Sequence, residues 1–446
     1  MFTIPRHTLG ALLLMAVSIV ALAVPASAIA AGNDADAIAV LQKKLDQSIK
    51  MIEALTARVQ ELESRQGGTA AATQTASTGP ATQQQVAEVE HRVQQIEAAN
   101  ATRQQDTTGL PIHGFADVGI GNYNPYFANF RGANIGSLDF YLTPKLGDRV
   151  LALSELIFEV GPDGSVGTDL ERFQIGYQFS DAATVWIGRF HTPYGYINTA
   201  LHHGVWLADA LRRPKFLNFE DHGGVMPSHT VGAWLTGAQR AGDGRVLYDL
   251  YVGNAQQDSG GTVFMQNAGT AHGTVMGGGR LSYQFTGGPL DGLTVGASAF
   301  TDKVDSAQTN NLTQLRVAGI AAVYDTDSWE HIAEAYVFHD TNLNGPPGTN
   351  RSTAWFAQLG YRGAWGVPYV RYERASLDQN DLYFAEQQFG ASYYRSAAGV
   401  RFDINPKSAI KFELANTHTL DFRLSDVQYG LPEDYNEVLA QYAVRF

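Results

Sequence analysis

Residues Tyr435 to Phe446 alternate apolar and polar and finish on an aromatic. Val438, Ala440, Tyr442, Val444 and Phe446 fall on one face of a strand, with Glu437, Gln441 and Arg445 on the other. A strand with one face suited to lipid and the other to water belongs in a closed sheet that crosses a membrane, because an open sheet edge cannot be satisfied there. The same alternation recurs upstream. Phe173, Ile175, Tyr177 and Phe179 alternate with Arg172, Gln174 and Gln178; Val400, Phe402 and Ile404 with Arg401 and Asp403; Ile410, Phe412 and Leu414 with Lys411 and Glu413.

From Pro111 onward sixteen strands are predicted, starting near residues 112, 134, 150, 169, 183, 229, 245, 273, 292, 312, 329, 352, 366, 392, 408 and 435. Their connections alternate between short turn signals and mostly longer polar segments. The short ones are Lys145 to Arg149, Ser180 to Ala183, Ala241 to Gly244, Gly287 to Gly292, Asp325 to Ser328, Gly363 to Gly366 and Asn405 to Lys407. Short turns at one end and long loops at the other are the asymmetry of a membrane barrel, and an even strand count returns both chain ends to the short-turn side. Tyr123, Trp186, Trp329, Trp365 and Tyr394 lie near strand ends, where an aromatic girdle is expected. The fold class is therefore all-β, a sixteen-stranded antiparallel transmembrane β-barrel over residues 110–446, preceded by an α-helical coiled-coil extension.

That extension reads as four segments. Residues 1–28 carry Arg6, an apolar run from Leu9 to Val24 and the small residues Ala26-Ser27-Ala28, the pattern of a signal peptide cleaved after Ala28. Residues 29–65 read as a coiled coil: Ile38, Leu41, Leu45, Ser48, Ile52, Leu55, Val59 and Leu62 follow alternating steps of three and four, with charges off the seam. Two or three helices both suit that seam, and a single amphipathic helix packed on the barrel is the alternative. Residues 66–83 form a Gly-, Ala-, Thr-, Ser- and Gln-rich flexible linker, and 84–109 a second short helix and polar connector. No further apolar run is long enough for a transmembrane helix. The chain has no cysteine, which excludes a lipoprotein anchor, disulfides, thiolate metal sites and c-type haem attachment. A net charge of −13 argues against nucleic acid as a partner.

The longest connection, Pro193 to Ser228, carries Ala200-Leu-His-His-Gly, then Trp206 to Pro214, then Asn218-Phe-Glu-Asp-His-Gly-Gly. It is too apolar for a loop in solvent, and a short helix is expected before Pro214. Arg172, Arg189, Arg280, Arg362, Arg371, Arg401, Lys411 and Arg445 have inward parity, as do Asp117, Glu155, Glu159, Asp249, Glu334, Glu373, Asp403, Glu413 and Glu437. The lumen is thus near neutral, and segregation of the two signs would set its field.

The signal peptide, heptads, sixteen strands, the Gly-Arg-Phe-x-Thr-Pro-Tyr-Gly stretch (Gly188 to Gly195) and the terminal Phe446 together resemble trimeric outer-membrane porins related to the phosphate-selective porins. The likeness is greatest to those with an N-terminal coiled coil that take up dicarboxylates. It implies a homotrimer in the outer membrane of a Gram-negative bacterium, in contact with its lipid, with the coiled coil in the periplasm. Ile38, Leu41, Leu45, Ile52, Leu55, Val59 and Leu62 would bundle there, and Phe446 would be read by the barrel-assembly machinery. It also implies passive diffusion of small hydrophilic solutes, with a modest preference for anions or carboxylates, past a third loop folded inward. Arg212, Arg213 and Lys215 would then sit at the constriction with Asp209, Glu220 and Asp221, joined from the wall by Arg189, Arg371 and Arg401; the alternative is that the loop charges pair with one another to hold the loop down. A lysine-rich phosphate trap is not expected, since the barrel has only Lys145, Lys215, Lys303, Lys407 and Lys411.

Two other classes compete. An enzyme at the barrel mouth would use His202, His203, Asp221, His222 and His229, but no nucleophile or zinc motif accompanies them. A structural anchor would use the barrel only to hold a periplasmic spacer. No catalytic residue, cofactor or metal is expected.

Overall fold

The computed structural model describes residues 112–122, 131–144, 146–161, 163–202, 205–219, 224–270, 272–421 and 433–446. The signal peptide, coiled coil, linker and second helix lie outside the described residues, as do Tyr123, Lys145, His203, Glu220, Asp221 and His222.

Seven strands come first: β1 (Ile112–Gly121), β2 (Gly132–Leu142), β3 (Val150–Val160), β4 (Val166–Ser180), β5 (Ala183–His191), β6 (His229–Ala241) and β7 (Gly244–Asn254). A small hairpin follows, β8 (Gln256–Ser259) and β9 (Thr262–Met265). Nine more complete the chain: β10 (Val275–Phe285), β11 (Leu293–Ser306), β12 (Leu312–Asp325), β13 (Trp329–Asn342), β14 (Gly348–Tyr361), β15 (Val367–Ser376), β16 (Tyr393–Asn405), β17 (Ser408–Thr419) and β18 (Asp434–Arg445). β7 pairs directly with β10, and β18 pairs antiparallel with β1 from Phe115↔Arg445 to Gly121↔Leu439. Leaving out the hairpin, sixteen strands close into one antiparallel barrel.

Every strand predicted from alternation is present, and the largest displacement of a start is four residues, 352 against Gly348. The hairpin β8–β9 carries no periodic signal in the sequence because its strands hold four residues each, too few for a period to register. It leans on the barrel rim through a short parallel pairing, Asp305↔Gln257. Tight turns stand where the turn residues lie, as at Ala241↔Gly244, where Gly242 takes φ +60°.

Side chains divide as the period requires. On β13, Glu330, Ile332, Glu334, Tyr336, Phe338 and Asp340 are buried toward the lumen. Outward, Ile187 and Ile320 are each 65% exposed, and Leu250, Leu281, Leu359 and Leu414 are exposed beside them. A closed barrel whose outer face is apolar and whose inner face is charged has lipid outside and water within. At the short-turn end Trp329 meets Tyr361 edge to face, and exposed Trp365 lies beside Phe402. Trp186 departs from the girdle expectation. Its neighbour Ile187 takes the outward position, so Trp186 faces inward and stacks on Trp234, whose indole donates to Asp249.

Candidate functional site: a loop folded into the lumen

The connection from β5 to β6 leaves and re-enters the sheet at one point. His191 pairs with His229, the Thr192 amide donates to the Ser228 carbonyl at 2.8 Å, and the Thr192 and Thr230 hydroxyls lie 2.8 Å apart. Phe190 and Tyr194 of the Gly188 to Gly195 stretch are fully buried, and Tyr194 packs on Phe300 and Tyr336. Gly195 then turns the chain with φ +55°, and a Cβ there would stand 2.1 Å from the Tyr336 hydroxyl and 2.3 Å from Glu334 Oε2. Only glycine meets both conditions. One helical turn follows, α1 (Ile197–Ala200), whose Tyr196 and Ile197 amides both donate to Glu334 Oε1 at 2.7 Å. The expected helix is thus one turn placed upstream of Trp206, because a wall carboxylate there takes the first free amides. Burial, with Glu330 and Asp325 nearby, pushes the Tyr196 phenol up to about 12.

Beyond α1 the loop crosses the barrel and is held by its main chain. Buried Glu373 on β15 accepts from the Lys215 amide at 2.7 Å, and Glu413 on β17 from the Arg212 amide at 3.4 Å. Tyr369 and Tyr393 accept from the amides of Leu211 and Phe216 at 3.3 and 3.0 Å. Donors serve the loop carbonyls: Arg371 to Arg212 at 2.6 Å, Arg401 to Trp206 and Ala208, and Lys411 to Val205. Hydrogen bonds to charged groups contribute about 1.5–3 kcal/mol each, so these bonds fix the loop's path inside the lumen.

A cavity of about 640 Å³ remains between the loop and the wall of β1, β2, β3 and β18. Its wall side carries the carboxylates Asp117, Asp139 and Glu159, while its loop side carries Arg212 and Arg213, with Arg371 behind them. A second cavity of about 260 Å³ lies toward the short-turn end, lined by His113, Phe115, Tyr141, Arg172, His191 and His202 among others. His202 lines both.

Of the predicted constriction residues, then, Arg212, Arg213 and Arg371 line the larger cavity. Lys215 does not, because its ammonium lies over the Tyr393 ring, 4.6 Å from its centroid. Asp209 lies 3.7 Å from Arg401, which also binds Asp403 and covers Trp206. Arg189 is held by Asp169 at 3.2 Å and lies 3.7 Å from Glu171. Glu220 and Asp221 lie outside the described residues.

Four groups from separate parts of the chain meet beneath the loop. Glu171, His191, His202 and His229 are all buried, each offering a donor atom within 4.8 Å of the others. His202 and His229 belong to the histidine group noted in the sequence; Glu171 and His191 do not. The available signal was that His191 and His229 end adjacent strands. Glu171 gave no signal, for a reason that lies in the sheet: β3 and β4 slip register between Glu155↔Arg172 and Leu156↔Leu170, leaving Glu171 as the extra residue. Such a bulge re-aims a side chain against the alternation.

No protein-family model matches the chain, and no curated protein matches it. Among solved structures it is similar to the anion-selective porin from Comamonas acidovorans, with TM-score 0.50 and 14% identity over 76% of this chain and 98% of that one. OmpF of Salmonella typhi, in complex with daunomycin, aligns with TM-score 0.48 and 13% identity over 76% of this chain and 97% of its own. The outer membrane channel DcaP of Acinetobacter baumannii aligns with TM-score 0.48 and 9% identity, again over 76% and 97%. The first of these likenesses bears on architecture alone: the chain has the sixteen-stranded barrel fold of an outer-membrane porin.

Proposed function

We propose that the chain is an outer-membrane porin through which small hydrophilic solutes diffuse passively, with a modest preference for anions or carboxylates. The carrying observation is the cavity beside the inward loop, with three carboxylates on one wall and Arg212, Arg213 and Arg371 opposite. Charges of opposite sign across a narrow wet passage create a transverse field that orients and sorts ions without binding them tightly. Arg131, next to the start of β2, lines the cavity from the carboxylate side, and Arg371 is paired with Glu373 at 3.0 Å, so Arg212 and Arg213 supply the positive charge of the loop side. The anion-selective character of the Comamonas porin fits this reading.

Planar-bilayer recording with reversal potentials tests it. Arg212→Gln should move selectivity toward cations and Asp117→Asn toward anions. One charge a few Å from the path is worth about 1 kcal/mol, a roughly five-fold change in permeability ratio. The change should shrink at 1 M salt, where the screening length is about 3 Å. Conductance that rises in both variants with unchanged ion preference would mean the charges only hold the loop. No channel from the pure protein would remove the porin reading.

The resemblance to trimeric porins favours a homotrimer, and the heptad seam is compatible with one, in which Ile38, Leu41, Leu45, Ile52, Leu55, Val59 and Leu62 form a periplasmic three-helix bundle. Phe446, at the end of a strand that closes the barrel, suits recognition by the assembly machinery.

A further inference from the structure

We propose that Glu171, His191, His202 and His229 form a binding site for one divalent transition-metal ion of the zinc class at the base of the inward loop. His229 Nε2 lies 2.6 Å from Glu171 Oε2, and His202 Nε2 lies 4.0 Å from the same oxygen. The His191 and His202 rings stack with centroids 3.7 Å apart, and the His229 ring lies 4.6 Å from that of His202. Three imidazoles and one carboxylate are a borderline-soft donor set that suits zinc, copper or nickel rather than calcium or magnesium.

The surrounding bonds orient one ligand for the task. The Asn198 amide nitrogen donates to the carbonyls of Thr192 and Ser228 at 3.0 and 2.9 Å, which turns its oxygen toward His202 Nδ1 at 2.9 Å. Arg213 donates to that same oxygen at 3.2 Å, so the oxygen acts as an acceptor and His202 Nδ1 carries the proton. The lone pair of His202 is then on Nε2, on the side of Glu171. An outer hydrogen bond that fixes the tautomer of a ligating imidazole is a recurrent part of metal sites.

The site's charges are shared with two arginines. Glu155, fully buried, lies 3.8 Å from His191 Nε2, and the same carboxylate oxygen accepts from Arg172, so Glu171 is the carboxylate that meets the dication. Arg189 competes for Glu171, but Asp169 holds it as well, so Glu171 can turn to a metal without stranding that guanidinium. Tetrahedral ligands about 2.0–2.1 Å from zinc stand about 3.4 Å apart, so binding spreads the His229–Glu171 pair from 2.6 Å, draws His202 toward Glu171 from 4.0 Å and unstacks His191 from His202. The bound ion would tie β4, β5, β6 and the loop together at the point where His202 borders both cavities.

The site is tested on the full-length protein in detergent, stripped by chelator and then titrated with zinc alone. One tightly held zinc per chain is expected, with X-ray absorption showing imidazole nitrogen and oxygen ligands. His191→Gln with His202→Gln should weaken binding by about a hundred-fold or more, and Asn198→Ala by about ten-fold, with far-UV circular dichroism unchanged. If the double variant does not fold, the Asn198 variant and the wild-type absorption spectrum decide. No bound zinc after buffer exchange, an all-oxygen ligand shell, or affinity indifferent to these substitutions overturns the site. A protein that conducts but holds no zinc loses this inference and keeps the porin reading; the reverse result separates them the other way.

Discussion

Arg395 shows how much one inward residue can carry. Its buried guanidinium donates to Glu373, Glu413 and Glu437, each at 2.9 Å, from strands β15, β17 and β18. Two of these carboxylates are the ones that accept the loop amides of Lys215 and Arg212. Three carboxylates in one dry pocket need that cation, and removing one member of a buried ion pair costs about 3–5 kcal/mol. Arg395→Met should therefore lower the urea midpoint of barrel unfolding, and it should release the loop and raise single-channel conductance. A variant with wild-type midpoint and conductance would show that the carboxylates find other partners. Parity places Arg395 on the same face as Arg401, yet the sequence does not single it out. Alternation tells which way a side chain points, while the convergence of three strands on one guanidinium depends on register, which no single strand encodes.

At the scale of elements, strands were legible because each is long enough to repeat its period several times, and their turns because tight reversals need particular residues. Glu171 was not, since a bulge shifts parity by one, and neither was the hairpin β8–β9. That hairpin should respond to pH. Burial, helped by Glu386 and opposed by the Gly261 amide, pushes the Asp258 carboxyl up to about 7. An acid raised from its ordinary value of about 3.9 favours the folded form when protonated. Its contribution is complete below about pH 4 and is lost as pH rises through about 7. Amide exchange across Gln256–Met265, corrected for intrinsic rate, should therefore show less protection at pH 8 than at pH 6, and Asp258→Asn should flatten the difference. Equal protection at both values in the parent protein would place the controlling group elsewhere.

For the whole molecule, the sixteen-stranded closure followed from period and parity, whereas the opposition of charges across the cavity did not, because it depends on where a long loop comes to rest. Assembly is the remaining whole-molecule question. Deleting Asp34 to Arg65 should weaken the proposed trimer and leave the barrel's circular dichroism intact, read by crosslinking or native mass spectrometry; monomers from the full-length chain would count against the trimer. The manner in which the loop is held has a wider consequence. The wall grips it by its amides and carbonyls from Val205 to Phe216, so the instructions for its path are written largely in β15 to β17. Residues such as Arg212 can then be exchanged as interchangeable fittings on a fixed rail, and the filter of such a protein can be retuned without redesigning its frame.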